Sequence, residues 1–309
     1  MSGEKVLVCD PVHGDGVEAL REAGLQVDLR TDIKGDEFIE VIGGYDAVVV
    51  RSRTKVTREV LAAAKGLRAV ARGGVGLDNI DVGEARRRGI EVISSPEGPS
   101  NAVAELVIGL MLSLARRIPE ADASMKRGEW IKKRLTGFEF RGRTLGVIGF
   151  GRIGYLVAKK ARGLGMRVLT YDVAIERLMS HVEEVGAEAV TMEDLLTSSD
   201  FVTVQVPLLP QTRHMIGREE IGMMKRGAYL INAARGAIVD GDALGEALRE
   251  GRLAGAALDV YEEEPPPDRS LTGLGNAVCT PHIGSATVEA QRANSMIVAE
   301  KLIKVLARA

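Results

Sequence analysis

A glycine fingerprint in the middle of the chain limits what this sequence can fold into more than any other feature. Gly149-Phe150-Gly151-Arg152-Ile153-Gly154 sits near the centre of 309 residues, not at their start. It follows an apolar run, Thr144 to Ile148, that reads as a buried parallel strand, and it opens a helical stretch from Arg152 to Leu164. The next apolar run, Arg167 to Tyr171, ends on Asp172. Strand, glycine turn, helix, strand and acid in this order form the pattern of a dinucleotide site. Gly149 permits the tight turn, Gly151 lets backbone approach a pyrophosphate, and Gly154 lets helix and strand pack closely. The helix N-terminus offers unpaired N–H groups and a partial positive charge to the phosphates. A central fingerprint also predicts a second domain wrapped around the nucleotide domain.

The flanking sequence supports that layout. Strand-like runs at 6–9, 26–29, 47–50, 67–70 and 90–93 alternate with helical runs such as Asp15 to Ala23 and Arg58 to Ala64. A second alternating series runs from Arg143 to about Thr280, with later strands at 201–205, 228–232, 253–258 and 277–279. Alternation of this kind predicts open parallel sheets covered by helices on both faces. The breaker-rich stretch from Ser94 to Pro99 reads as a domain joint. After it, Ser100 is placed as an N-cap for a helix through Ala115 whose apolar residues cover nearly the whole circumference. Such a helix is expected to be buried in a core or at a subunit interface. The last helix, Val288 to Ala307, is expected to cross back to the first domain. The expected fold is α/β, with two Rossmann-like or flavodoxin-like doubly wound parallel-sheet domains. Residues 1–95 and 284–309 form the substrate domain, 96–283 form the inserted nucleotide domain, and the cleft between them is the default ligand site.

Composition narrows the partners. A formal net charge of -2 gives no electrostatic reason to expect nucleic acid or membrane. The 102–115 run is too short for a bilayer, which needs about 20 residues. Cys9 and Cys279 lie in or beside apolar runs and read as buried, inert thiols; no disulfide framework or metal-ligand spacing occurs, which fits a cytoplasmic protein. Residues Lys5 to Asp10 already read as a strand, so no signal peptide is expected.

Three clusters each follow directly on an expected strand of the nucleotide domain: Asn232-Ala233-Ala234-Arg235-Gly236, the stretch Ala257 to Pro265, and Thr280-Pro281-His282-Ile283-Gly284-Ser285. Ligands bind at the carboxyl ends of parallel strands in such sheets. An arginine, a carboxylate and a histidine brought there suffice for 2-hydroxy acid chemistry. Arg235 can hold a carboxylate with two parallel hydrogen bonds and polarise a carbonyl. His282 can take a hydroxyl proton as hydride leaves. Glu264 can orient the imidazole and favour its charged form. The other histidines, His13, His181 and His214, lack such context and read as surface residues.

With these clusters, the fingerprint and Asp172, and Pro207-Leu208-Leu209-Pro210 with Thr212, the chain resembles the D-isomer-specific 2-hydroxyacid dehydrogenase family along essentially its full length. The resemblance implies an NAD-linked oxidoreductase with Arg235, Glu264 and His282 as catalytic residues. It implies cofactor contacts at Val75, Gly149, Gly151, Arg152, Ile153, Gly154, Asp172, Val206, Pro207 and Thr212. Further contacts are implied at Ala233, Ala234, Arg235, Asp259 and the turn His282, Gly284 and Ser285. Glu262 and Glu263 are expected to be solvated neighbours of the acid. Asp172 can accept from the ribose hydroxyls and repels a 2′-phosphate, so NAD is expected over NADP.

Two loops of the first domain bear on the substrate: Arg51-Ser52-Arg53-Thr54 and Arg72 to Asp81, each after a strand and each expected to face the cleft. Backbone N–H groups at Val75 and Gly76 suit a carboxylate. The pattern resembles the phosphoglycerate dehydrogenase branch, in which the Arg-Ser-Arg-Thr stretch and Asn101 line the pocket. An arginine pair suits a phosphate of about two charges. Lys132 is a weaker candidate for the same task. The expected substrate contacts are therefore Arg51, Ser52, Arg53, Val75, Gly76, Asn101, Arg235 and His282. The expected reaction is oxidation of D-3-phosphoglycerate at the entry to serine synthesis, by a homodimer joined through the nucleotide domain. The rivals are a glyoxylate or hydroxypyruvate reductase and, from another class, an NAD-sensing corepressor; formate dehydrogenase is disfavoured by Glu264, where that branch has glutamine. The chain ends just after its crossing helix, so serine feedback through an appended domain is not expected.

Overall fold

The computed structural model describes residues 3–307, so the first two and last two positions of the expected substrate domain lie outside the described residues. The first elements are β1 (Lys5–Val8), α1 (Gly14–Glu22), β2 (Gln26–Leu29), α2 (Gly35–Ile42), β3 (Ala47–Val50), α3 (Arg58–Ala63), β4 (Ala69–Arg72), α4 (Val82–Arg87) and β5 (Glu91–Ser94). Then follow α5 (Ser100–Arg116), α6 (Ile118–Lys126), β6 (Thr144–Ile148), α7 (Arg152–Gly163), β7 (Arg167–Tyr171), α8 (Met179–Val185), β8 (Glu188–Ala189) and α9 (Met192–Ser198). The remainder is β9 (Phe201–Val204), α10 (Arg218–Met223), β10 (Tyr229–Asn232), α11 (Gly241–Arg249), β11 (Gly255–Leu258), β12 (Ala277–Cys279) and α12 (Val288–Leu306). The chain divides into two units, one reaching Ser100 and resuming at Ser285, the other spanning Asn101–Gly284.

The first unit holds a five-stranded parallel sheet in the order β2-β1-β3-β4-β5, one of the two common doubly wound arrangements. Its strands are apolar without alternation because both faces are covered. Leu7, Val48, Val50 and Val70 pack with Phe38, Ile42, Val60 and Leu61 of α2 and α3. Val6, Val8, Val49 and Ala71 meet Leu20 of α1 and Val298, Leu302 and Leu306 of α12 on the other face. The last helix thus belongs to the first sheet, as the sequence predicts. Its start is fixed by Thr287, whose hydroxyl accepts from the Ala290 N–H.

The second unit holds seven parallel strands in the order β12-β11-β10-β9-β6-β7-β8. Strand order reverses beside β6, so the glycine turn that follows β6 lies at the switch point where such sheets bind ligands. Leu145, Val147, Phe201 and Ile231 face α5 and α7, while Ile148, Val202, Leu230 and Leu258 face α9 and α11. Phe201 is fully buried and stacks on Tyr229 with ring centroids 4.8 Å apart.

Two strand boundaries are corrected. β4 lies at 69–72, because Leu67 instead closes a turn by donating to the Ala64 carbonyl. β11 starts at Gly255, because the N–H of Leu253 still binds Ala247 at the end of α11. Helix α5 is not buried all round. Val103, Val107, Leu110 and Met111 are inside, whereas Leu106, Ile108, Leu112 and Leu114 are only half-buried. Among the described residues these last four are only partly covered.

Candidate active site

The glycine turn has the geometry its spacing predicts. Gly149 has φ +91°, and a side chain there would strike the Gln205 carbonyl and Val206. A side chain on Gly154 would fall 2.0 Å from the Gly149 carbonyl oxygen, so α7 presses directly against the turn. One on Gly151 would meet open space. Gly151 is also the N-cap of α7 and supplies no side-chain cap, which leaves the first-turn N–H groups to an outside acceptor. Asp172 accepts from the Phe150 N–H through Oδ2 and from the Ala174 N–H through Oδ1, each at 2.8 Å. The acid is thereby aimed by the two turns that border the cradle. This donor-rich, side-chain-free turn with a fixed acid fits a dinucleotide.

The clusters after β10, β11 and β12 are built by short-range bonds. Asn232, 1% exposed, accepts from the Ala234 N–H and donates to the Arg235 carbonyl, closing the turn that presents Arg235. Gly236 is required next: a side chain there would lie 1.9 Å from the Tyr261 carbonyl carbon, where this turn meets the loop after β11. In that loop Glu264 accepts from the Tyr261 N–H through Oε1 and contacts His282 Nδ1 through Oε2 at 2.7 Å. Partial burial pushes the Glu264 carboxyl up. The hydrogen bonds from His282 and Tyr261, with the His282 and Arg235 charges, outweigh it and hold the group below its ordinary range. A carboxylate only accepts, so Nδ1 carries the proton and Nε2 is left as the basic nitrogen.

His282 has φ +54°, a backbone state uncommon outside glycine. Asp259, 1% exposed, holds it there: Oδ1 accepts from the Thr280 hydroxyl (2.6 Å) and the Ile283 N–H (2.8 Å), and Oδ2 from the Gly284 N–H (2.8 Å). Asp259 therefore orients the histidine turn. Thr212 orders its own loop in the same way. Its hydroxyl donates to Pro207 and accepts from the Leu209 N–H, closing its own loop. Glu262 is exposed, as expected, and pairs with Arg213 and His214, joining the loop after β9 to the loop that carries Glu264. Asn101, exposed at the start of α5, donates to Glu105 of the same helix.

In the first unit the 51–54 turn is assembled on Asp10, a 1% exposed acid just after β1. Asp10 accepts from the Arg51 N–H, the Thr54 N–H and hydroxyl, and Arg53 Nε. Asn79 donates to the Arg51 and Thr54 carbonyls from the other side. The turn splits the expected arginine pair. Arg53 uses its remaining fork on the Cys9, Thr31 and Ile33 carbonyls, so four of its five donors serve the fold. Arg51 is half-buried and makes one long contact to Pro11 (3.4 Å), while Ser52 is exposed. Val75 is 41% exposed beside Gly74 and Gly76. Lys132 is exposed in a short 3-10 turn.

Sequence reasoning assigned no role to Asp10, Asn79 or Asn232. Asp10 and Asn232 stand at or just past the carboxyl end of a strand, and that position is the signal available for them; Asn79 lies in the loop after β4. Cys9 is buried and Cys279 half-buried; burial pushes the Cys9 thiol up to about 12 and also raises Cys279. Among the described residues no cluster could hold a metal ion, and no helix is long and apolar enough to cross a membrane.

Residues 108–284 match the model of the D-isomer specific 2-hydroxyacid dehydrogenase NAD binding domain. The D-3-phosphoglycerate dehydrogenase of Methanocaldococcus jannaschii is 50% identical over 303 residues, which is 98% of this chain and 57% of that protein. The chain thus spans about half the length of the phosphoglycerate dehydrogenases it matches first. The hydroxypyruvate reductase of Thermotoga maritima is 43% identical and covers 99% of both chains. A crystal structure of a glyoxylate reductase from Paecilomyes thermophila superposes with a TM-score of 0.88 at 32% identity, covering 98% of this chain and 95% of that one.

Proposed function

Because the chain belongs to the D-isomer specific 2-hydroxyacid dehydrogenases, we propose that it oxidises D-3-phosphoglycerate to 3-phosphohydroxypyruvate with NAD. The observation that carries the reading is the 2.7 Å contact of His282 Nδ1 with Glu264, beside the turn that presents Arg235. Bound NAD supplies a hydride acceptor for C2 of the substrate. His282 Nε2 takes the hydroxyl proton as that hydride departs, leaving a 2-oxo acid. Glu264 fixes the ring's tautomer and stabilises the imidazolium that forms. Arg235 binds the carboxylate and polarises the developing carbonyl. The backbone at Val75 and Gly76 adds donors for the carboxylate, and Arg51 with Ser52 takes the phosphate. The fingerprint glycines and Asp172 hold the nucleotide.

A hydroxypyruvate or glyoxylate reductase is the second reading, and two observations favour it. The Thermotoga reductase matches along its whole length. Arg53 is committed to the fold, which leaves Arg51 alone of the arginine pair expected for a phosphate. NADH formation on adding NAD and D-3-phosphoglycerate tests the function. His282→Ala is expected to lower kcat by about a hundredfold to ten-thousandfold, the usual size of a general base's contribution. Absence of hydride transfer with any D-2-hydroxy acid would remove the enzymatic reading and revive a nucleotide-sensing one.

A further inference from the structure

We propose that Ser95 and Asn294 are positioning residues for the substrate, tying the Gly74–Gly76 loop to the last helix of the chain. Ser95 is fully buried and grips Gly74 from both sides. Its N–H donates to the Gly74 carbonyl at 3.0 Å, and its hydroxyl oxygen accepts from the Gly74 N–H at 2.9 Å. The Ser95 hydroxyl proton then goes to Asn294 Oδ1 at 2.7 Å, across 199 residues of sequence. Asn294, on α12, is 3% exposed, and its Nδ2 is buried without a partner among the described residues. A buried amide with half its capacity unused costs stability, so packing alone does not explain this residue.

Local packing fixes the relay. A side chain on Gly98 would fall 2.4 Å from Asn294 Oδ1, so the segment after β5 lies directly on the amide. Lys301, two turns further along α12, donates to the Ser94 carbonyl at 2.8 Å and holds the same segment. Gly74 has φ +156°, and a side chain there would strike Arg72 Nη1 at 2.8 Å. Ser95 holds this loop by both ends of one residue. A hydroxyl that both accepts and donates passes the orientation of α12 to the backbone immediately before Val75.

The inference rests on the proposed role of Val75 and Gly76 as carboxylate donors. Ser95→Ala and Asn294→Ala should each raise the KM for the 2-hydroxy acid about tenfold, the effect of losing one net hydrogen bond from a preorganised site. kcat should change less than about twofold and the Kd for NAD should be unchanged, because neither residue reaches the reacting atoms or the nucleotide cradle. The double variant should be no worse than either single one, since both break one chain of bonds. Active wild type with unchanged KM in both variants, or fully additive losses, would overturn the relay while leaving the dehydrogenase standing. An inactive wild type would instead sink the functional reading itself. Hydrogen exchange on the wild-type protein covers the case of a variant that does not fold. With NAD present, adding the 2-oxo acid should slow exchange in peptides spanning 72–78 and also 289–297. Slowing at 72–78 alone would also overturn the relay.

Discussion

Glu264 and Asp259 sit five residues apart on one loop and act differently because their surroundings differ. Asp259 is sealed in and serves the backbone of the histidine turn; Glu264 is partly open and serves the ring itself. The Glu264 carboxyl is held below its ordinary value of 4.5 by its hydrogen bonds and neighbouring charges. Its contribution to stability is therefore complete above that value and is lost as pH falls through the lower folded one. Glu264→Gln should melt below wild type at neutral pH, with the gap closing as pH falls below about 4.5. Thermal melts across that range check this; a gap that widens on acidification would contradict it. At this scale Arg235, Glu264 and His282 were legible as candidates because each follows a strand, and the fold brings Glu264 against His282. The sequence did not show which polar groups the fold keeps for itself. Arg53 and Thr212, expected as ligand contacts, also bind Asp10 and Pro207, and the Arg53 pairing forms only once β1 and β3 align.

The fingerprint element was legible because its glycines answer to three separate steric demands. Gly149 needs positive φ, Gly151 needs open space, and Gly154 needs to touch the turn. Gly154→Ala places a methyl 2.0 Å from a carbonyl oxygen. The expected cost is about 1–3 kcal/mol of stability, with weaker NAD binding because α7 must back away from the phosphate turn. Urea unfolding and a nucleotide titration measure both, and wild-type values in each would show that the turn tolerates displacement. Helix α5 was less legible. Its composition predicts burial on every side, while four of its apolar residues are only partly covered. Periodicity reports that a surface is apolar and not what covers it.

For the molecule as a whole, the half-buried leucines of α5 have apolar company nearby in sequence. Ile118 is 49% exposed, Met125 58% and Trp130 78%. Exposed apolar surface of this kind marks association sites, which supports the proposed homodimer through the nucleotide-binding unit. Sedimentation equilibrium should return twice the mass of the chain, and Trp130→Glu with Met125→Glu should shift it toward the monomer. A monomeric wild type would remove the proposal. The two parallel sheets and the return of the last helix to the first were legible in the alternation of strand and helix signals. The pairing of Arg53 with Asp10 was not, because the two lie 43 residues apart in sequence.

The most direct measurement compares NAD reduction with D-3-phosphoglycerate and with D-glycerate, on wild type and on Arg51→Ala. The account predicts a kcat/KM for the phosphorylated substrate at least about a hundredfold higher, as a charge-assisted phosphate contact warrants. It also predicts that Arg51→Ala removes most of that advantage while leaving D-glycerate oxidation nearly unchanged. Equal values for the two substrates in wild type, or an advantage that survives Arg51→Ala, would contradict it.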